Sequence, residues 1–374
     1  MGTKRQRTDW SGSMIPSAES LRESKYSSEG DRFFQDLLES WDNTCRRDNG
    51  SVDVDIHLCD QRLRLRFSSL RLKSSLTRAL RHRIVPTDPH AKSDFVIHVF
   101  DGTSGVPLPR SPWLRTDFQR RGEVNSHFTD DIVASYLIGP DILNIYHKRL
   151  KRAVYWIRNG RQIPFYEQAA PFRHLTHWLL REKGWLLVHG AGIGNRDNRG
   201  LLVIGKGGSG KSTVSIAAAI DGGMKFCGDD YCAINTSPPL RLNSVYLTAK
   251  LTEKTMEMLS LSAADAVSGD EGKRVFFIGE MMAKQAAESL DLKGFVVPGL
   301  CPAETPPGLR MMDSGEVARH LAVSSLYQMP HAGAMEFASL AEAARSLPGW
   351  LLTVPTGSPS SAVPLLKGIL SDVG

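Results

Sequence analysis

At 374 residues, 41% hydrophobic and 23% charged, the chain is long enough to bury the cores of two domains of ordinary size. No segment approaches the roughly 20 consecutive apolar residues of a membrane span, and five scattered cysteines (Cys45, Cys59, Cys227, Cys232, Cys301) suit reduced thiols in a cytoplasmic protein better than a disulfide framework. The formal net charge of +6 is spread over basic stretches at 62–83, 119–122 and 147–152 without a zinc-finger, homeodomain or RNP signature, so nucleic acid is not the expected partner.

Residues 1–30 are polar and rich in Ser and basic side chains, which predicts a disordered tail without the apolar run of an export signal. A helix is then expected over 33–45, with Phe34, Leu37, Leu38 and Trp41 on one face. Alternating runs at 52–58 and 62–67 predict two strands, and 68–83 a helix with a Ser cap. A buried strand follows at 94–101, a Pro/Gly/Arg-rich loop at 102–123, and further strands within 131–160. Residues 31–165 therefore read as one α+β domain without recognisable chemistry.

The character of the chain changes near Pro164, and 166–374 reads as a second, α/β domain. A helix over 171–184 leads into the strand GWLLVHG (184–190), a turn-rich loop AGIGNRDNRG, and the strand LLVIG (201–205). Next comes Gly205-Lys-Gly-Gly-Ser-Gly210-Lys211-Ser212, which fits the phosphate-loop pattern G-x-x-x-x-G-K-[ST] at every position, between a strand and the helix 211–223. Gly205, Gly207, Gly208 and Gly210 let the backbone wrap phosphates with its N–H groups inward, and the helix amino end adds partial positive charge. Ser209 and Thr213 belong to the same cradle, Lys211 reaches the β/γ oxygens, and the Ser212 hydroxyl ligates Mg²⁺. ATP and Mg²⁺ are thus the expected cofactors; ATP and GTP are not distinguished.

Two carboxylates, Asp229 and Asp230, follow the strand KFC. Adjacent acids beside a triphosphate divide their labour economically if Asp230 helps hold Mg²⁺ while Asp229 orients a hydroxyl and accepts its proton. A surface Asp-Asp turn is the competing reading of that dipeptide alone. His189, at the end of WLLVH, is a candidate contact for the γ-phosphate, against a purely structural histidine.

Taken in order, His189-Gly190, GKGGSGKST and Gly228-Asp229-Asp230 resemble the kinase domain of HPr kinase/phosphorylase and its relatives, a family whose nucleotide-binding core is shared with phosphoenolpyruvate carboxykinase. The resemblance covers 170–235 well, 236–374 loosely, and does not reach the first domain. It implies a C-terminal phosphate-loop kinase domain of that type behind the smaller α+β domain. It also implies phosphate contacts for Gly207 to Ser212, a phosphate-facing His189, Asp229 as catalytic base and Asp230 as metal support. The Arg-Gly-Leu-Gly signature that goes with the family's phosphorylase reaction is absent, so an enzyme acting on HPr in both directions is not expected.

Beyond the aspartates, 240–259 reads as strand then helix, 262–274 as a mobile polar loop, 274–279 and 294–300 as strands, 316–329 as an amphipathic helix and SAVPLLKGIL as a last one. Lys273 and Arg274 are candidates for a cation closing over the γ-phosphate, against a solvated basic pair. Trp350, Met311 and Met312 read as packing residues. The expected function is transfer of the γ-phosphoryl group of ATP to a hydroxyl, a Ser of a protein or peptide, with the first domain presenting the acceptor. A small-molecule kinase on the same core and an ATP-binding regulatory module without transfer remain open, and a homo-oligomer is compatible with either.

Overall fold

Strict alternation of apolar and charged residues builds the first sheet. In the computed structural model, which describes residues 29–372 apart from 49, 120, 125–130, 268, 270 and 271, the chain opens with helix α1 (Glu29–Arg47), strands β1 (Val52–Leu58) and β2 (Gln61–Phe67), helix α2 (Leu70–Thr77), and strands β3 (Ile84–Val85), β4 (Phe95–Asp101), β5 (Glu123–Val124), β6 (Ile132–Leu137), β7 (Ile142–His147) and β8 (Arg152–Ile157). They form an eight-stranded sheet in the order β3-β1-β2-β4-β8-β7-β6-β5. Leu63, Leu65 and Phe67 of β2 are buried on one face; the intervening arginines project to the other, as period 2 requires. There Arg62 and Arg64 both grip the fully buried Asp55 of β1, at 2.6 and 2.8 Å. Part of the basic stretch is thus answered inside the fold.

α1 packs on this sheet through Phe33, Phe34, Leu37 and Trp41, against Leu143, Ile145 and Trp156. Burial of each such side chain stabilises by about 1.5–3 kcal/mol. Leu38, expected on that face, is only partly buried, and the helix begins at Glu29, inside the stretch read as tail; residues 1–28 lie outside the described residues. The Ser cap expected for α2 is Ser69, whose side chain accepts the Leu72 N–H, but the α-helix gives way to a 3₁₀ turn at Arg78.

The second half contributes helices α3 (Phe165–Ala169) and α4 (Arg173–Arg181), then β9 (Trp185–Val188), β10 (Ala191–Gly194), β11 (Arg199–Val203), α5 (Lys211–Ile220), β12 (Lys225–Gly228), β13 (Cys232–Asn235), β14 (Arg241–Ser244), β15 (Ala249–Thr252), α6 (Glu253–Met258), β16 (Ala266–Val267), β17 (Lys273–Phe276), α7 (Ile278–Met281), β18 (Ser289–Cys301), β19 (Gly308–Met312), α8 (Ser314–Ser325), α9 (Ala334–Ser346), β20 (Gly349–Pro355) and α10 (Val363–Asp372). A nine-stranded mixed sheet runs β12-β10-β11-β18-β14-β13-β9, with β20 also paired to β18 and β19 to β20; β15, β17 and β16 make a third, small sheet. The architecture is mixed α/β with three sheets, and among the described residues no helix is long and apolar enough to cross a membrane.

One segment read as a loop is a strand. AGIG pairs with both β11 and β12 as β10. Its glycines suggest a turn, yet they serve close packing: a Cβ on Gly192 would lie 2.8 Å from Cys227 Cβ and 2.9 Å from Leu242 Cδ2, and one on Gly194 would lie 2.8 Å from Leu290 Cδ2. The β9–β13–β14 part of the sheet can fold over β10 only because these side chains are missing. Helices α8 and α9 cover that part through Val317, Leu321 and Leu340, while α5 and α10 cover β11 through Val214 and Leu366. α4 lies between the two large sheets, and Leu175, Trp178 and Leu179 join a core with residues of both. Of the residues read as packing groups, Met312 is buried, Trp350 half-buried, and Met311 exposed at the sheet edge.

Candidate functional site

The loop after β11 has the backbone its glycines permit. Gly205, Gly208 and Gly210 take φ of +138°, +78° and +94°, left-handed values that side chains resist. A Cβ on Gly207 or Gly208 would meet nothing within 4 Å, so this arch of backbone faces open space. α5 starts at Lys211 directly behind it, leaving its first N–H groups aimed at the loop. Lys211 is 7% exposed and bends back across the arch, its Nζ donating to Gly205 O at 2.8 Å and Lys206 O at 3.2 Å. Burial lowers its pKa, an effect opposed by Asp229 and Asp230.

Beside the loop lies a cavity of about 240 Å³, lined by Gly208, Gly210, Lys211, Ser212 and Thr213 on one side and Thr255, Met258 and Pro355 on the other. Thr213 Oγ1 sits 3.4 Å from Thr255 Oγ1. Lys273 lines the cavity and stands close enough to lower the Lys211 pKa. Its neighbour does not join it: in the β15–β17 ladder Thr252 faces Lys273 and Leu251 faces Arg274, so strand alternation turns Arg274 to the opposite face. The expected basic pair is split.

The two aspartates occupy the tight link between β12 and β13. Gly228 precedes them at φ +132°, where a Cβ would press on Cys232 Sγ at 3.1 Å and Tyr246 O at 3.2 Å. Asp229 is 1% exposed, and neither carboxylate oxygen has a hydrogen-bond partner among the described residues. Burial, then the charge of Asp230, raises its pKa to about 7, while the neighbouring Ser212 hydroxyl and the charges of Lys211 and Lys250 act in the other direction. Asp230 is the opposite case. Burial pushes its carboxyl up, but Lys250 and His189 outweigh that and hold it well below the usual carboxylate range. Lys250 Nζ lies 2.7 Å from Asp230 Oδ2, and His189 Nε2 3.9 Å from Oδ1.

His189 follows β9 directly, whose register with β13 puts Val188 opposite Cys232. Its ring is fixed by a chain of donors. Arg173 Nη1 donates to the Tyr231 hydroxyl at 3.1 Å, Tyr231 donates to Gln328 Oε1 at 2.5 Å, and Gln328 Nε2 donates to His189 Nδ1 at 2.9 Å. An amide N–H₂ only donates, so Nδ1 accepts and the neutral ring turns its Nε2–H toward Asp230. Burial lowers the His189 pKa, with Asp230 acting against it, which favours that neutral form.

The structure thus brings Gly205 to Thr213, His189, Asp229, Asp230 and Lys273 together, and leaves Arg274 outside. Lys250, Gln328, Arg173 and Tyr231 escape the sequence reading. Tyr231 is adjacent to the acid pair, a signal that position alone supplies. Gln328 lies 139 residues from the histidine it orients, and nothing local marks it. For Mg²⁺ the Ser212 hydroxyl at the start of α5 is a hard oxygen donor of the kind this ion takes, to be completed by phosphate oxygens and water. The metal role expected of Asp230 meets a competitor, because Lys250 already neutralises that carboxylate.

No family model matches the chain, and no curated protein matches it. Among solved structures, the Hpr(Ser) kinase/phosphatase from Coxiella burnetii is similar at 13% identity and a TM-score of 0.25, over 50% of this chain and 93% of that one. At that score the likeness assigns no function, and the chain's own residues carry the reading.

Proposed function

We propose that the protein is an ATP-dependent phosphotransferase that moves the γ-phosphoryl group to a hydroxyl, a Ser of a protein or peptide. The observation that carries this is Asp229: a fully buried carboxylate, without a close hydrogen bond among the described residues, beside the mouth of a glycine loop with a Walker-type lysine. A buried polar group left unpaired costs about 1–3 kcal/mol, more for a charge, so such a group is retained where a ligand completes it. In this proposal the loop N–H groups and the α5 amino end bind the phosphates, and Lys211 leaves the Gly205 and Lys206 carbonyls to neutralise the β/γ oxygens. Bound Mg²⁺ would supply further neutralisation of phosphate charge, with Ser212 as its protein ligand. Asp229 orients the acceptor hydroxyl and takes its proton. Asp230, engaged by Lys250 and His189, anchors those two groups instead of the metal. Lys273 is the cation positioned to close over the γ-phosphate.

The test is incubation of purified protein with γ-labelled ATP, Mg²⁺ and a host extract. The expected result is label on a polypeptide, lost in Lys211→Ala together with nucleotide-dependent thermal stabilisation. Label on a small molecule would select the small-molecule kinase. Tight ATP binding with no ADP formed in any acceptor fraction would select a regulatory module.

A further inference from the structure

The glycine loop divides two hollows. The cavity beside Gly208 to Thr213 is the smaller; on the side of Lys206, Gly207 and His189 opens a cleft of about 950 Å³. That is the upper end of the range for small-molecule pockets, about 300–1,000 Å³. Its walls come from both halves of the chain: Gln119, Arg121 and Glu123 at the end of the first sheet, and α8, α9 and the turn between them. The two walls are tied together, since Arg121 donates to Met329 O at 2.6 Å and also to Leu326 O, while Arg121 Nε pairs with Glu123 at 2.7 Å.

Two features of the cleft stand unanswered. Tyr327, Val323 and Phe337 line it and are 73%, 55% and 49% exposed. Lys206 and Arg319 also line it, are exposed, and form no ion pair among the described residues. Glu123, the acid of the cleft, is already neutralised by Arg121. Apolar side chains and positive charge on one surface complement a segment carrying acidic and apolar side chains, although Glu316 lies near enough to Arg319 to feel its charge. The floor reaches the chemistry: His189 faces Asp230, and Gln328, which lines the cleft, fixes the His189 ring.

We infer that this cleft is the acceptor site, and that it takes an extended polypeptide segment with acidic and apolar side chains flanking the reacting serine. The inference rests on the phosphotransferase reading and adds the place and chemistry of its second substrate. In the step it serves, the serine oxygen forms a bond to the γ-phosphorus as the bond to the bridging oxygen of ADP breaks. The serine proton passes to Asp229, and ADP leaves with the electron pair.

The experiment uses the full chain and two synthetic ten-residue peptides, each with one central serine. One has Glu and Leu flanks, the other Lys and Leu flanks; free L-serine is the third acceptor. Phosphorylation with γ-labelled ATP gives KM and kcat, and nucleotide affinity is measured on the same samples. The acidic peptide is expected to show a KM at least tenfold below that of the basic one. Arg319→Glu should erase or reverse that preference, and Tyr327→Ala should raise KM about fivefold, with nucleotide Kd within twofold of the parent in both. These side chains are exposed, so the variants fold. Equal KM for the two peptides, an unchanged preference in Arg319→Glu, or phosphorylation of L-serine with both peptides ignored would each overturn the inference. Nucleotide binding with neither peptide modified overturns it alone if a polypeptide of the host extract is still labelled; with no label on any acceptor, or no nucleotide binding at all, the phosphotransferase reading beneath it falls too.

Discussion

Asp55 in the first sheet and Asp229 in the second are the same residue type with the same lack of solvent, at 0% and 1% exposure, and they have opposite surroundings. Asp55 is gripped by Arg62 and Arg64 through four hydrogen bonds. Burial works against its charge, but the two arginines outweigh it and hold the carboxyl below the usual range. Asp229 has no close hydrogen bond among the described residues, and burial and the charge of Asp230 raise its pKa to about 7. A buried carboxylate with partners holds the fold together; one without them keeps a raised pKa and becomes a candidate for chemistry. The first region shows how this chain neutralises a buried acid when it needs only stability. Against that standard the second is exceptional.

The comparison can be broken in four ways. Asp229→Asn is expected to retain ATP binding and lose phosphoryl transfer by about 10³-fold, in the range for removal of a general base; transfer within tenfold of the parent would discard that role. Asp55→Asn should leave two arginines without their carboxylate and destabilise by about 3 kcal/mol, read from urea unfolding, while kcat per folded molecule stays put. A smaller effect is expected from Gln328→Leu, which frees the His189 ring: about a tenfold fall in kcat, with nucleotide Kd unchanged. Gln328→Glu, which offers His189 an acceptor in place of a donor, should shift the pH profile of kcat, whereas a merely structural role would leave its shape alone.

The smallest effect concerns stability and pH in the absence of nucleotide. A carboxyl whose folded pKa lies above its unfolded value binds more protons when folded, so its contribution declines as pH rises from about 4 to about 7. Asp55 has the reverse sign: its contribution is present above the ordinary carboxylate pKa and lost only in stronger acid. Asp229→Asn should therefore raise Tm by a few degrees at pH 8 and flatten the change between pH 5 and pH 8. Asp55→Asn should leave that window unchanged. A parent Tm that is flat from pH 5 to pH 8 would contradict the environment described for Asp229.

Much of the framework was legible in order along the chain. The alternation in 52–67 encodes β1 and β2, the helical spacing of 33–45 encodes most of α1, and the run from His189 through the loop to Asp230 stands out in the sequence alone. The failures have particular causes. AGIG looks like a turn because glycine is common in turns, but here it admits a neighbouring layer. Arg274 looks equivalent to Lys273 until strand pairing sends them to opposite faces. α9 and β20 carry no motif, and each is fixed by what it packs on.

By itself, the sequence determined what depends on neighbours within a few residues: strand and helix periods, the glycines that allow left-handed backbone, the lysine and serine that follow them, and two adjacent acids. Only the tertiary structure decided which acid is left unpaired. Lys250 reaches Asp230 from another strand, Gln328 reaches His189 from across the chain, and among the described residues no ion pair or close hydrogen bond holds Asp229. The physical reason is that a carboxylate's charge state is set by burial and by partners within a few ångströms, and those partners are brought by folding from positions that no local pattern connects.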